Sequence, residues 1–314
     1  MYAGDILNTS NHSKIFVVGS INIDYCTIVD ALPKVGETVL SKSFEIGLGG
    51  KGANQAVACS KLGCDVYMIG AVGDDAFGSD SIAQLKEYGV KTESISVLKG
   101  QNTGMAFVTV SKSDNSIVVA SNANFSLDFE TIKKHLSSAT INDILIVQLE
   151  LDLDVVKATL EYARGLGMTT ILNAAPADVS AISLCPHVDI CVLNETECHL
   201  WTDVHPVDEV HVVLAAKKLY EYGVSSVVLT LGEHGSVIVK EQTVDYVDAI
   251  KTTVVDTTSA GDAYIGAMAS KLASGHDLVK SAHFATKVAS ITVSRSGASK
   301  SIPTLDEIQN SKFE

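Results

Sequence analysis

The residues whose types and spacing best suit chemistry form one run, Val254-Val255-Asp256-Thr257-Thr258-Ser259-Ala260-Gly261-Asp262-Ala263-Tyr264. The pattern predicts an apolar strand ending at Asp256, a short polar turn, and a helix that starts near Ala260. Amides at a helix start have no partner inside the helix, and the helix dipole places partial positive charge there. Small residues at Ser259, Ala260 and Gly261 let an anion approach that backbone closely. Asp262 falls in the first helical turn, beside the place an anion would occupy. A carboxylate there is out of place if phosphate binding is the only task. It makes sense if it takes the proton of a hydroxyl that attacks the phosphate. The plain alternative is that Asp and Ser favour the first turn of any helix, with Asp256 a turn residue.

Two further stretches offer groups to a ligand. Asn22 and Asp24 stand at i and i+2, so on an extended chain both face one side and could grip vicinal hydroxyls. A turn or a strand edge is the alternative there. The run from Gly47 to Ala56, Gly-Leu-Gly-Gly-Lys-Gly-Ala-Asn-Gln-Ala, contains the spacing GxGxxG. It does not read as a dinucleotide fingerprint. It is not the first strand-to-helix turn, and Ile69-Gly70-Ala71 stands where the ribose-holding acid belongs. No Walker-type phosphate loop occurs. These glycines suit a small polyol lying on bare backbone, with Lys51 and Asn54 donating to it.

Elements must hold those groups. Residues 14–19 read as a buried strand, 37–46 as a second strand, and the run after Lys51 as a helix reaching Leu62 and stopped by Gly63. A strand at 65–71 and a helix at 77–88 follow. Residues 102–110 and 116–121 form a hairpin around Lys112-Ser113-Asp114-Asn115, outside the main sheet. From Asp143 strands and helices alternate. The strand at 144–149 ends at Glu150, a helix covers 154–164, and the strand at 169–172 ends at Asn173. The strand at 189–193 ends at Asn194, with Glu197 one helical turn on, and 225–229 runs into Thr230-Leu231-Gly232-Glu233-His234-Gly235. Helices at 260–274 and 276–293 precede a small-residue loop at 294–299. The expected fold is α/β: an open, mostly parallel sheet with helices on both faces, plus a small β lid. Such sheets bind ligands at the carboxyl ends of their strands, where Glu150, Asn194, Thr230 and Asp262 gather.

Composition narrows the classes. The chain has 314 residues, of which 46% are hydrophobic, enough for a large core. Its apolar runs are far shorter than the about 20 residues a membrane helix needs. Residues 1–13 are polar and read as a flexible leader, not a signal peptide. The six cysteines form no CxxC pair, as expected of reduced cytoplasmic thiols. Cys185, His187, Cys191, Cys198, His199, His205 and His211 match no zinc spacing. A net charge of −14 repels nucleic acid but leaves room for a mononucleotide.

The chain resembles the ribokinase (PfkB-type carbohydrate kinase) family. The resemblance is carried by residues 19–24, 49–56, 148–150, 172–177, 194–197, 230–232 with Gly235, and 256–262, in the family's order over residues 14 to about 303. It implies one kinase domain at 14–310, with lid segments at about 22–46 and 102–121. It implies ATP-dependent phosphorylation of the 5-hydroxyl of D-ribose; deoxyribose or a nucleoside such as adenosine stays open as acceptor, as does a non-catalytic sugar-binding regulator. By resemblance Asp262 is the general base, and Ser259, Ala260 and Gly261 supply the anion hole. Asn22, Asp24, Gly50, Lys51, Asn54, Glu150 and Asp262 look like sugar contacts. Asn194, Thr230, Gly232, Gly235, Gly261 and Thr286 match nucleotide-side positions, and Glu197 the acidic residue linked to Mg²⁺. Activation by K⁺ is implied, with Asp256, Thr258, Thr292, Arg295, Gly297 and Ser301 at the ligand positions. A homodimer through the β lid and a cytoplasmic location, with the nucleus also open in a eukaryotic cell, complete the expectation. The chain departs from the family pattern where Ser259 replaces the first glycine of the helix start, where Ala174 replaces a proline, and where Thr286 stands in place of His or Asn.

Overall fold

The computed structural model describes residues 13–111, 115–240 and 243–311. The leader expected at 1–13 lies almost wholly outside the described residues, as do positions 112–114 of the expected hairpin turn. In chain order the elements are β1 (Ile15–Val18), β2 (Asn22–Ile28), β3 (Ser43–Gly49), α1 (Lys51–Lys61), β4 (Val66–Gly73), α2 (Ala76–Glu87), β5 (Ile95–Leu98), β6 (Gly104–Val110), β7 (Asn115–Ala120) and α3 (Phe129–Leu136). They continue with β8 (Ile144–Val147), α4 (Leu153–Gly165), β9 (Thr169–Asn173), β10 (Ile190–Asn194), α5 (Glu195–Thr202), α6 (Glu209–Glu221), β11 (Ser226–Thr230), β12 (Ser236–Lys240), β13 (Thr243–Val247), α7 (Ala260–Ala273), α8 (Leu278–Thr292) and α9 (Leu305–Asn310).

The main sheet has the order β13-β12-β11-β10-β9-β8-β1-β4-β5. It is parallel from β5 to β11, and the antiparallel β12 and β13 extend one edge. Strand β1 shows why the sheet is buried on both sides. Its residues are all apolar; Ile15 and Val17 join the core under α1, α7 and α8, and Phe16 and Val18 join the core under α3 to α6. Helix ends follow local chemistry. Asp75, Asp152, Asp208 and Asp277 cap α2, α4, α6 and α8 with their carboxylates. Gly63 and Gly89 take the positive φ that turns the chain away after α1 and α2.

A second sheet, β3-β2-β6-β7, stands off the first as the small β layer anticipated in the sequence. Here two expectations are corrected. The strand expected at 37–46 begins only at Ser43 and runs on through Gly49, pairing antiparallel with β2. Val35 and Leu40 are exposed, and Gly36 has φ 84°, so these two apolar side chains have no sheet face to join. The lid sheet therefore extends past Ile46. The apolar strand expected to end at Asp256 is absent. Val254 and Val255 are exposed, and the backbone of the segment is tied by the amides of Val255 and Asp256 to the Val293 carbonyl at the end of α8 rather than by a strand ladder. Beta-branched residues favour extended backbone, but a strand also needs a neighbour with free ladder groups.

Candidate active site

Asp262 lies in the first turn of α7 and is buried. Both carboxylate oxygens are held from α1. Gln55 Nε2 donates to Oδ1 at 2.9 Å, and Asn54 Nδ2 donates to Oδ2 at 3.1 Å. Gln55 is itself fixed: its Nε2 also lies 3.2 Å from Asn173 Oδ1, and its Oε1 accepts from Gln148 Nε2 at 2.7 Å. Burial pushes the Asp262 carboxyl above the ordinary aspartate value, against the pull of Lys51 and the two amides. A raised value makes a better proton acceptor near neutral pH. The Ala260 amide bonds Thr257 O and the Ala263 amide bonds Ser259 O. Among the described residues, the amides of Gly261 and Asp262 between them bond no protein acceptor. Two free donors at a helix start, beside a buried base, can bind an anion.

The residues expected to contact a sugar lie near the same place: Asp24, Lys51 and Glu150 act electrostatically on one another and on Asp262. Asn22 and Asp24 do share one face of β2, as i and i+2 require. Burial, then Glu150 and Asp262, pushes the Asp24 carboxyl up to about 7 against Lys51. Asp24 Oδ1 is buried without a hydrogen bond, so the site offers an acceptor that waits for a donor. Asn22 is engaged: its Oδ1 accepts from Asn124 Nδ2 at 2.8 Å. Glu150 follows β8, accepts from Ser20 Oγ at 2.5 Å, and takes the Lys51 amide at 3.2 Å. Lys51 opens α1. Burial lowers its ammonium, but Asp262, Glu150, Glu197 and Asp24 raise it more, and the net shift is upward. It stays charged among four carboxylates.

Three of the glycines expected to let a polyol lie on bare backbone, Gly49, Gly50 and Gly52, also serve packing within the protein. A Cβ on Gly49 would lie 2.0 Å from the Asp24 carboxylate. One on Gly50, which has φ 88°, would lie 2.8 Å from Asn22 N and Ser20 O, and one on Gly52 2.6 Å from the Gly19 carbonyl carbon. They let α1 and β3 close onto the β1–β2 turn and Asp24. Gly47 has open space around it. The GxGxxG spacing straddles an antiparallel lid strand and α1, so the rejection of a dinucleotide fingerprint holds.

Of the residues expected on the nucleotide side, Asn194 and Glu197 form a capping box at the start of α5. Glu197 Oε2 accepts the Asn194 amide at 2.8 Å, and burial raises the carboxyl. Thr230 ends β11, paired with Asn194. Gly232 and Gly235 have positive φ, and a Cβ on Gly235 would meet Val247 O at 2.0 Å. Thr286 turns its hydroxyl back to Ala282 O on α8. At the other end of the helix-start turn, Asp256 ties two loops: Oδ1 takes the Thr258 amide and Oδ2 the Gly297 amide, each at 2.9 Å. The Arg295 side chain pairs with Glu307 at 2.8 Å. The side chains of Thr292 and Ser301 bond Val288 O and Ala298 O.

The pattern described as "pfkB family carbohydrate kinase" matches residues 12–305. The chain belongs to that family. It is 35% identical over 292 residues to the ribokinase of Haemophilus influenzae, covering 93% of this chain and 95% of that one. It is 34% identical over 299 residues to the deoxyribokinase of Salmonella typhi, covering 93% and 96%. Among solved structures, Arabidopsis thaliana ribokinase complexed with ribose and ATP superposes with a TM-score of 0.84 at 27% identity, over 95% of this chain and 97% of that one. This pfkB-family chain is a sugar kinase. Sequence reasoning missed Ser20, Gln55, Asn124, Gln148 and Ser299 as residues that orient the site. Gln55 and Gln148 stood inside quoted motifs, but only the folded distances give them a task.

Proposed function

We propose that the chain transfers the γ-phosphate of ATP to the 5-hydroxyl of D-ribose, giving D-ribose 5-phosphate. One observation carries the reading: a buried carboxylate, held at both oxygens, sits beside two free amides at the start of α7 and faces the polar pocket of Asn22, Asp24, Lys51 and Glu150. The Arabidopsis relative solved with ribose and ATP supports the same assignment of sugar and donor. The sugar oxygen attacks the γ-phosphorus as the bond to the ADP oxygen breaks, and the hydroxyl proton passes to Asp262. The amides of Ser259, Gly261 and Asp262, which bond no acceptor among the described residues, receive the transferring group; the Ala260 amide, expected to join them, is already taken by Thr257 O. A preorganised donor of this kind is worth about 3–4 kcal/mol in oxyanion sites.

Asn194, Thr230, Gly232, Gly235 and Thr286 are assigned to the nucleotide. The pocket around Asp262 gathers four carboxylates against Lys51, so a triphosphate entering it needs added positive charge. Mg²⁺ would supply that charge, and Glu197 suits it: its Oε1 takes no hydrogen bond among the described residues. K⁺ would be held by Asp256, Thr258 and the oxygens of Thr292, Arg295, Gly297 and Ser301. That donor set is all oxygen, as a hard cation requires. Dimerisation through the lid sheet belongs to this reading, as does a cytoplasmic location, which suits the six free thiols.

The 34% identity to a deoxyribokinase keeps 2-deoxyribose as the second reading. ADP release from ATP and Mg²⁺ with D-ribose, 2-deoxyribose, fructose and adenosine, each with K⁺ and with Na⁺, separates them. The ribose reading predicts the highest kcat/KM for ribose and activation by K⁺. Preference for another acceptor moves the specificity, and binding of ribose without turnover of any acceptor favours a regulator.

A further inference from the structure

Helix α7 begins on a serine that does not act as a cap. Ser259 holds the N-cap position with φ 59° and ψ 10°, in the left-handed region. A capping serine normally sits in extended backbone and accepts an amide of the first turn; Ser259 makes no such bond. A side chain in the left-handed region carries a steric cost that glycine escapes. The hydroxyl is used elsewhere. Ser259 Oγ accepts from Asn54 Nδ2 at 2.9 Å, and the same amide nitrogen donates to Asp262 Oδ2 at 3.1 Å. From the other side, Ser299 Oγ donates to Asn54 Oδ1 at 2.7 Å. Two serines thus fix the plane of the Asn54 amide, and one of its hydrogens is aimed at the buried carboxylate.

We propose that Ser259 is a positioning residue for Asp262: its hydroxyl, kept at the expense of backbone strain, holds Asn54 on the carboxylate and leaves the start of α7 uncapped for phosphate. The proposal rests on the kinase reading of Asp262 given above. The charged groups facing Asp262 are Lys51 from α1, Glu150 after β8, Asp24 from β2 and Glu197 from α5. Lys51 and the Asn54 and Gln55 donors favour the ionised form, while burial and the other carboxylates oppose it. Loosening Asn54 therefore raises the pH at which Asp262 ionises.

The test compares Ser259→Gly, Ser259→Ala, Asn54→Ala and the double variant Ser259→Ala/Asn54→Ala. It reads kcat against pH, Tm, and a ¹³C-carboxyl titration of Asp262 in the sugar-free protein, assigned with Asp262→Asn. Both Ser259 variants should lower kcat about tenfold, the scale of a slightly misplaced catalytic group, with little change in sugar KM. They should also move the acid limb of kcat and the Asp262 titration upward. Ser259→Gly, freed of the strain, should have a Tm no lower than the parent. Ser259→Ala should add little once Asn54 is already Ala. An unmoved Asp262 titration, or additive losses in the double variant, would overturn the proposal. If the parent protein turned over no sugar at all, the kinase reading would fall while the carboxyl titration still decided the role of Ser259.

Discussion

Asp24 should give sugar binding a pH dependence. Its buried Oδ1 lacks a partner and its carboxyl is pushed up to about 7 from an ordinary 3.8. An ionised carboxylate accepts from sugar hydroxyls more strongly than a neutral carboxyl does, so the KM for ribose should fall as pH rises from 6 to 8 and level off above. Steady-state kinetics across that range check this, and Asp24→Asn should raise KM and remove the step. Stability of the sugar-free protein should run the other way. A folded-state value above the unfolded one means the group's contribution is fully present below about 3.8 and is lost as pH rises through about 7. Which residues carry charge at this site was legible in the sequence: Asp24, Lys51, Glu150, Glu197 and Asp262 all stood in motifs. What each one touches was not. Asn54 was expected to donate to the sugar, yet both its donor contacts go to Ser259 and Asp262. Side-chain pairing across more than 200 positions leaves no local trace.

At the level of elements, the three glycines of one motif separate into three roles. Gly47 has no neighbour where a Cβ would go, so Gly47→Ala should be neutral. Gly49→Ala should leave Tm nearly unchanged but raise the sugar KM at least about tenfold, because its methyl would displace Asp24, and one lost charge-assisted contact has that value. Gly52→Ala meets the immovable backbone of Gly19 and Ser20 and should cost about 1–3 kcal/mol, an overpacking penalty. Thermal melts and sugar KM together distinguish the three. The parallel strands were legible because buried apolar runs bounded by glycine have few other readings. The segments at 37–42 and 254–256 misled because β-branched residues signal extended backbone, not a pairing partner. The antiparallel edge of β12 and β13 was not anticipated, since it interrupts the alternation of strand and helix.

The whole molecule presents an unusual surface at the lid. Around Tyr25, the residues Phe44, Ile46, Phe107 and Val118 lie on one face of that sheet by register, and all four are exposed. A contiguous apolar face of this kind favours association. Sedimentation at micromolar concentration should report a dimer of the 33.1 kDa chain, and Phe107→Lys should shift it toward monomer. Among the described residues no helix is long and apolar enough to cross a membrane.

The most direct test is ribose-dependent ADP formation by Asp262→Asn, measured beside ribose binding by calorimetry. Asparagine keeps the shape and hydrogen-bonding reach of the side chain but cannot take the proton. The account predicts binding within a few-fold of the parent and turnover lower by about 10²–10⁴, the range of general-base contributions. Turnover close to that of the parent enzyme would contradict it.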